Sequence, residues 1–411
     1  MKITPEQIRN DLYKAYEDAK KHKRNTLAQL DFEDVQETDL EQLYEELVTR
    51  YYEPLPAYSF ITFDPVQREV FASQFRDRVV QHMLYNYLAP LFDTLLIEDT
   101  YSCRVGKGTH FGMMRFEHHL RSVTDNYTRE AYVLLFDLSG YFMSIDKSLL
   151  MDIIRDEINH HLDRKSPDGR LWGKRIDPDF CDFLIHVFFD RNPATNCIRI
   201  GRASDWNGLP QNKRLSCSPP GFGLVIGDID SQLFSNMLLN ITDQWAKRQM
   251  KLRHWGHYVD DHFVMHNSLL FLQKLEPVLI ETFKEKIHVN VHPHKIHYTP
   301  ANGANLFLGG YIRPFYKQPR QRTIDKFVAT ARTMEYRLLC CNPSLNELEQ
   351  INRVINSYCG IFSHFKAYNL RKKYLDTPAY NEYFIFNKWM TKAKLRYKYR
   401  KTWKYYMDYF V

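Results

Sequence analysis

Two short apolar runs that each end on carboxylates constrain this chain more than any other feature. Residues 131–137 read Ala-Tyr-Val-Leu-Leu-Phe-Asp, and Tyr258-Val259-Asp260-Asp261 sits between His254-Trp255-Gly256-His257 and His262-Phe263-Val264-Met265. The first run has the length of a buried strand and delivers Asp137 at its end. The second reads as a hairpin over 252–266 with two adjacent acids at its apex. Paired carboxylates in an apolar, aromatic setting are costly to bury unless something cationic neutralises them. A third acid from a neighbouring strand completes a set of hard oxygen donors of the kind magnesium takes, with waters and substrate phosphates as further ligands. An Asp-Asp pair alone is a weak signal, because most such pairs are solvated turns.

The periodicity around these runs mixes helix and strand. Helical spacing predicts helices over 5–22 and 38–51, the second opened by Thr38 and Asp39 as caps. Residues 58–72 read as extended around Asp64-Pro65. Residues 76–88 read as a helix that Pro90 ends. A helix is predicted near 147–160, and loop with a hairpin over 190–222, where Asn192-Pro193, Asn207-Gly208 and Pro219-Pro220-Gly221 break any pattern. Residues 231–250 read as an amphipathic helix capped from Asp228 or Asp230. Another helix follows near 268–285, then a strand-rich stretch over 288–311 and mostly helix from Arg322 onward. Three regions are expected: an N-terminal helical segment (1–57), a mixed α+β region (58–315) and a basic, aromatic helical region (316–411).

Composition narrows the partners. The chain has 411 residues, 44% hydrophobic and 26% charged, as in a globular protein. No apolar run approaches the roughly 20 residues of a membrane span, and the N-terminal MKITPEQIRNDLYKAYEDAKK lacks the apolar segment of a secretory signal. The expectation is a cytoplasmic protein with no membrane partner. The seven cysteines lack zinc-ligand spacing and read as reduced thiols. Net charge is +7, and residues 366–411 carry twelve Lys or Arg against Asp376, Glu382 and Asp408. Eleven Tyr or Trp interleave with those cations, among them Tyr368, Tyr374, Trp389, Trp403, Tyr405 and Tyr406. Cations neutralise phosphates and aromatic rings stack on bases, so the stretch suits a nucleic-acid surface. An aromatic core beneath a solvated basic face explains the same pattern.

Four ordered motifs carry a family resemblance. Phe136-Asp137-Leu138-Ser139-Gly140-Tyr141-Phe142-Met143-Ser144-Ile145-Asp146 resembles the first catalytic motif of bacterial reverse transcriptases. Ile226-Gly227-Asp228-Ile229-Asp230-Ser231-Gln232 resembles their template-and-nucleotide motif. Tyr258-Val259-Asp260-Asp261 resembles their Y-x-D-D box, and Phe307-Leu308-Gly309-Gly310-Tyr311 their primer-grip turn. The likeness is strong over roughly 60–315. It implies a right-hand polymerase fold with fingers and palm, built from antiparallel sheet plus helices, and a helical thumb. It also implies RNA-directed DNA synthesis with two Mg2+ ions, or Mn2+ in their place.

The resemblance assigns roles residue by residue. Asp137 and Asp260 become metal ligands joined by the Leu138 carbonyl, and Asp261 completes the cluster. Phe142 matches the aromatic gate that leaves no room for a ribose 2′-hydroxyl; plain core packing is the other reading. Arg68 matches a fingers arginine on the triphosphate, a bidentate task suited to guanidinium. Arg76 and Arg78 fit either nucleotide contact or helix ion pairs with Asp77 or Glu69. Gly227, Gln232 and Tyr258 fall at nucleotide-side positions. Arg104 and Lys107, in Tyr101-Ser102-Cys103-Arg104-Val105-Gly106-Lys107-Gly108, match a template-side loop. Gly309 and Gly310 match the primer contact. Lys295 matches a general acid for pyrophosphate; a solvated strand lysine is the alternative.

Ile226 stands where retroviral enzymes carry glutamine, and Ser231-Gln232 replaces the commoner Ser-Pro. With Asp77-Arg78-Val79-Val80-Gln81-His82 and Ser357-Tyr358-Cys359-Gly360, these features are similar to reverse transcriptases of diversity-generating retroelements, where an apolar residue at 226 goes with error-prone copying. Met143 in place of proline, the acidic pair Asp228 and Asp230, and the long 190–222 insertion depart from that type. They keep open antiphage-defence reverse transcriptases; a third reading, in another functional class, is a catalytically silent RNA-binding scaffold, against which the intact Asp137, Asp260 and Asp261 argue. The implied partners are a structured cognate RNA template, a DNA or RNA primer, dNTPs, and a small accessory protein or a second copy of the chain. No RNase H, endonuclease or integrase segment is recognisable.

Overall fold

The computed structural model describes residues 2–21, 27–63 and 66–399. Asp64, Pro65, Trp403, Tyr405, Tyr406 and Asp408 lie outside the described residues. The fold mixes helix and sheet. The chain forms two compact units. One is built from the chain up to Gly108, Leu134–Val264 and Ser268–His297; the other comprises Thr109–Val133, Met265–Asn267 and the chain from Tyr298 onward.

In the first unit, the Pro5–Lys20 helix opens with a reciprocal cap. Thr4 Oγ1 accepts from the Gln7 amide at 3.2 Å, and Gln7 Oε1 accepts from the Thr4 amide at 3.0 Å. Its buried stripe of Ile8, Leu12, Ala15, Tyr16 and Ala19 packs on the Phe75–Leu95 helix. The helix expected over 38–51 is Gln36–Thr49, and a further helix, Leu27–Asp34, precedes it. Neither Thr38 nor Asp39 caps: the second helix starts from Val35 with no side-chain cap, and Asp39 lies inside the first turn, where a carboxylate complements the helix dipole.

Pro90 does not end its helix, which runs on to Leu95. A proline sacrifices one intrahelical bond, and Pro90 is exposed, so water can satisfy the freed carbonyl. The Pro178–Asp190 helix was not anticipated, although Asp177 caps it by accepting from the Phe180 amide at 3.1 Å and Phe180, Leu184, Ile185 and Phe189 repeat at helical spacing. The stretch 190–222 holds one short strand, Cys197–Arg199. It pairs in parallel with Ala57–Thr62 and forms no hairpin. Ala57–Thr62 also pairs antiparallel with Arg68–Ala72, with Tyr58 opposite Ala72 and Thr62 opposite Arg68.

The Ile229–Gln244 helix is not amphipathic. Leu233, Phe234, Asn236, Met237, Leu238, Leu239, Asn240 and Asp243 are buried around its whole circumference, so it is a core helix. Asp228 sits at its N-cap position without capping it. The strands His254–Tyr258, Asp261–His266 and Tyr132–Asp137 lie side by side in one sheet, as the sequence led us to expect.

The second unit joins the Thr109–Val123 helix to an antiparallel sheet of Asn305–Phe307, Gly310–Arg313 and Tyr316–Pro319 and, among the described residues, adds four helices and a short hairpin. Phe116 stacks on Phe307 with centroids 4.7 Å apart. Leu345–Ser363 begins with a capping box of Ser344 and Glu347. Its core joins Phe327, Ala331, Ile351, Ile355, Cys359, Phe362, Tyr380 and Phe384. The aromatics of 366–399 therefore divide: Tyr380 is fully buried and donates to the Ala331 carbonyl at 2.7 Å, whereas Trp389 and Tyr397 are more than 60% exposed. Among the described residues, no helix is long and apolar enough to cross a membrane.

Candidate active site

The strand Tyr132–Asp137 delivers Asp137 to a junction of three backbone segments. The Leu138 amide donates to the Asp260 carbonyl at 3.3 Å, the Ser139 amide to the Asn290 carbonyl at 2.8 Å, and the His292 amide to the Asp137 carbonyl at 2.8 Å. Residues 137–139 are thus stitched to the hairpin apex on one side and to 290–292 on the other. Lys295 reaches back from that second segment, and its Nζ donates to Asp137 Oδ2 at 2.8 Å.

The apex itself is strained. Val259 has φ +52°, a left-handed conformation that a β-branched residue rarely adopts and that costs of order 1–3 kcal/mol. A buried network beneath it stabilises the hairpin. Asp243 Oδ1 accepts from Trp255 Nε1 at 2.7 Å, and Asp243 Oδ2 lies 2.9 Å from His257 Nε2. The His257 ring stacks on His262 at 4.7 Å, and His262 Nδ1 lies 3.0 Å from the Asp260 carbonyl. Burial, then His257, pushes the His262 imidazole down to about 3, so this ring is neutral and its Nδ1–H donates to that carbonyl. Burial opposes charge on Asp243, but His257 and Trp255 hold its carboxyl below the usual range.

The site carboxylates feel one another. Burial, then the charge of Asp137, raises the Asp260 carboxyl. Burial, then Asp260 and Asp137, pushes Asp261 up to about 7, while Lys295 and Arg68 pull it back. Among the described residues, no three His, Cys, Asp or Glu side chains stand together as a ready-made metal group. Asp137 is instead turned to the Lys295 ammonium. The donor chemistry still fits a hard divalent cation: three mutually repelling acids, with Asp260 half-buried and Asp261 exposed at the apex, whose charges a cation would join.

A second group of expected residues gathers on the strand Arg68–Ala72. The Phe71 amide donates to the Ile226 carbonyl at 3.1 Å. Gly227 has φ +136°, and a Cβ there would stand 2.4 Å from the Phe71 carbonyl, so only glycine permits this approach. Phe142 and Ile226 pack on one cluster of Ala57, Phe71, Met143 and Leu215. Arg68, exposed on the same strand, acts electrostatically on both Asp260 and Asp261. Tyr258 is half-buried at the end of its strand, and Gln232 Oε1 accepts from Cys103 Sγ at 2.8 Å.

Other expected contacts are occupied within the protein. Arg78 Nε donates to the Ser73 carbonyl at 2.9 Å. Arg76 pairs with Glu46, not with Asp77 or Glu69. Glu69 instead accepts from Trp206 Nε1 at 2.7 Å and the Leu215 amide at 2.9 Å. Arg104 donates to Asp93 Oδ1 and the Ile97 carbonyl, both at 2.6 Å, and Lys107 to the Glu98 carbonyl at 2.7 Å. Asp228 and Asp230 do not stand open beside nucleotide phosphates, because both are buried. Gly309 and Gly310 belong to the second unit; Gly309 has φ +80°, and a Cβ on Gly310 would stand 2.7 Å from the Phe365 ring.

No known family profile and no curated protein matches the chain. Solved structures do. Telomerase from Candida albicans, in complex with a TWJ fragment of telomeric RNA, is similar at a TM-score of 0.44 and 10% identity, over 84% of this chain and 60% of that one. Apo telomerase from Candida tropicalis, truncated from its C-terminal domain, is similar at a TM-score of 0.44 and 12% identity, over 68% of this chain and 59% of that one. The chain therefore spans about three fifths of the length of these telomerases.

Proposed function

We propose that this chain is an RNA-directed DNA polymerase of the bacterial retroelement type. The observation that carries the reading is that Asp137, Asp260 and Asp261 lie near enough to repel one another, with the Leu138 amide bonded to the Asp260 carbonyl. In this reading the first unit holds the fingers and palm, and the helices after Gln321 form the thumb. RNA template, primer and dNTPs are the partners.

Asp137, Asp260 and Asp261, with the Leu138 carbonyl, would hold two Mg2+ ions. Bound there, the ions would supply Lewis acidity to a primer 3′-hydroxyl and charge neutralisation to the departing pyrophosphate. The chain's own residues do the rest. Arg68, exposed beside the acids, offers a bidentate fork to the triphosphate. Lys295, within reach of Asp137, would supply a proton to the leaving group. Phe142 underlies the incoming sugar, and Ile226 abuts the nascent pair without a hydrogen-bonding group. An apolar side chain there monitors base geometry only by shape, which favours misincorporation.

The test is primer extension by the full-length protein with Mg2+, dNTPs and a primed RNA, run also on the RNA that copurifies with it. Template-dependent DNA should appear with native protein. Asp260→Ala should lower the rate roughly a thousandfold, or several kcal/mol of transition-state stabilisation, while leaving circular dichroism unchanged. No DNA on either template would overturn the reading. Sequencing the copurified RNA and DNA distinguishes a diversifying element from a defence system.

A further inference from the structure

We propose that the first unit contains a second, buried cation site, held by Asp230 and Asp228 and selective for a small, easily dehydrated monovalent ion, Na+ or K+. Asp230 is 3% exposed, and both of its carboxylate oxygens are sealed from solvent without a hydrogen-bond partner. Buried polar groups are almost always paired, and an orphaned carboxylate is the costliest exception. The neighbouring carboxylate of Asp228 repels it. Asp228 is itself buried, with one oxygen bonded to Ser73 Oγ at 2.7 Å.

The two acids line a cavity with Ser231, Gln81, Lys147 and Arg191. The cations of that lining hydrogen-bond elsewhere, although the Arg191 charge still acts on Asp228. Lys147 Nζ donates to the Phe189 carbonyl at 2.8 Å and the Arg191 carbonyl at 3.4 Å, and the Arg191 guanidinium donates to the Leu55 carbonyl. Neither hydrogen-bonds Asp230. A proton on Asp230 would relieve the charge but satisfy only one of its two unpartnered oxygens. A cation in the cavity satisfies both oxygens at once.

Size selects the ion. The cavity offers about 20 Å3, room for one water-sized particle. Mg2+ gives up its waters reluctantly and does not fit such a space with its shell. The site also has a place in the chain's design: Asp228 and Asp230 follow directly on Ile226-Gly227, so a bound ion would fix the segment that the Phe71 amide holds from the other side. None of this depends on the polymerase reading.

The experiment is thermal unfolding of the full chain in NaCl, KCl and tetramethylammonium chloride at equal ionic strength, with EDTA removing divalent ions. Na+ or K+ should raise the midpoint saturably above tetramethylammonium, by roughly 3 °C or more. Asp230→Asn should abolish the difference. Equal midpoints in all three salts, or a cation effect that survives Asp230→Asn, would overturn the proposal; the first result would mean that Asp230 holds a proton or a water. Should Asp230→Asn fail to fold, sodium NMR on the native chain decides. Line broadening reversed by K+ sustains the site, and an unbroadened line removes it.

Discussion

At the scale of single residues, the Lys295–Asp137 bond is the contact with the sharpest consequence. An ammonium 2.8 Å from Asp137 Oδ2 occupies the charge that a metal would otherwise neutralise. Lys295→Met should therefore lower the Mg2+ concentration for half-maximal activity while slowing the maximal rate about a hundredfold, because the proton donor is gone. An unchanged Mg2+ titration would show that the lysine does not compete for Asp137. Phe142 gives a second outcome. Phe142→Val should erode discrimination against ribonucleotides by one to two orders of magnitude, worth about 1.4 kcal/mol per factor of ten, in single-nucleotide incorporation assays. Unchanged discrimination would mean that this ring is only core, packed on Phe71 and Met143. The three acids were legible in the sequence because each lies next to the strand that presents it. Asp243, His257 and His262 were not, because nothing in the chain marks an acid on a core helix as the partner of rings on a hairpin. The His-Trp-Gly-His run before the acids was the one available signal.

At the scale of elements, buried side chains hold segments together more than propensity does. Asp77, in the first turn of the Phe75–Leu95 helix, accepts from Tyr52 Oη at 2.8 Å and the Leu55 amide at 3.1 Å. Burial pushes its carboxyl up to about 6 despite those bonds. The folded value lies above the ordinary one near 4. The group's contribution to stability is thus fully present below about pH 4 and lost as pH rises through 6. Relative to Asp77→Asn, which does not titrate, the native chain should lose about 3 kcal/mol of unfolding free energy across that window. A pH-independent difference in urea melts would remove Asp77 from the account. The sequence showed most helices, since their apolar spacing is local. It misjudged their ends where a distant group decided the outcome. Asp228 looked like a cap, yet its side chain is taken by Ser73, 155 residues away. Pro90 looked like a stop, but its exposed position makes the lost bond cheap.

At the scale of the whole molecule, each compact unit carries its own buried core. Ile355→Ala should cost about 2–5 kcal/mol. It should expose amides of the Gln321–Cys340 and Leu345–Ser363 helices to hydrogen exchange while Phe75–Leu95 keeps its protection. Uniform loss of protection would mean that the units unfold as one. The mixed helix and sheet was legible in the alternation of periods along the chain. The division into units was not, because Thr109–Val133 and Met265–Asn267 leave one unit for the other without any change in composition. The loop of Arg104 and Lys107 carries a final consequence. Both cations are bound to acids and carbonyls of their own neighbourhood, so neither is placed to displace the counterions condensed on a polyanion. The effective valence that this protein presents to a nucleic acid is smaller than a pI near 8.8 implies, and added salt should loosen its grip correspondingly gently.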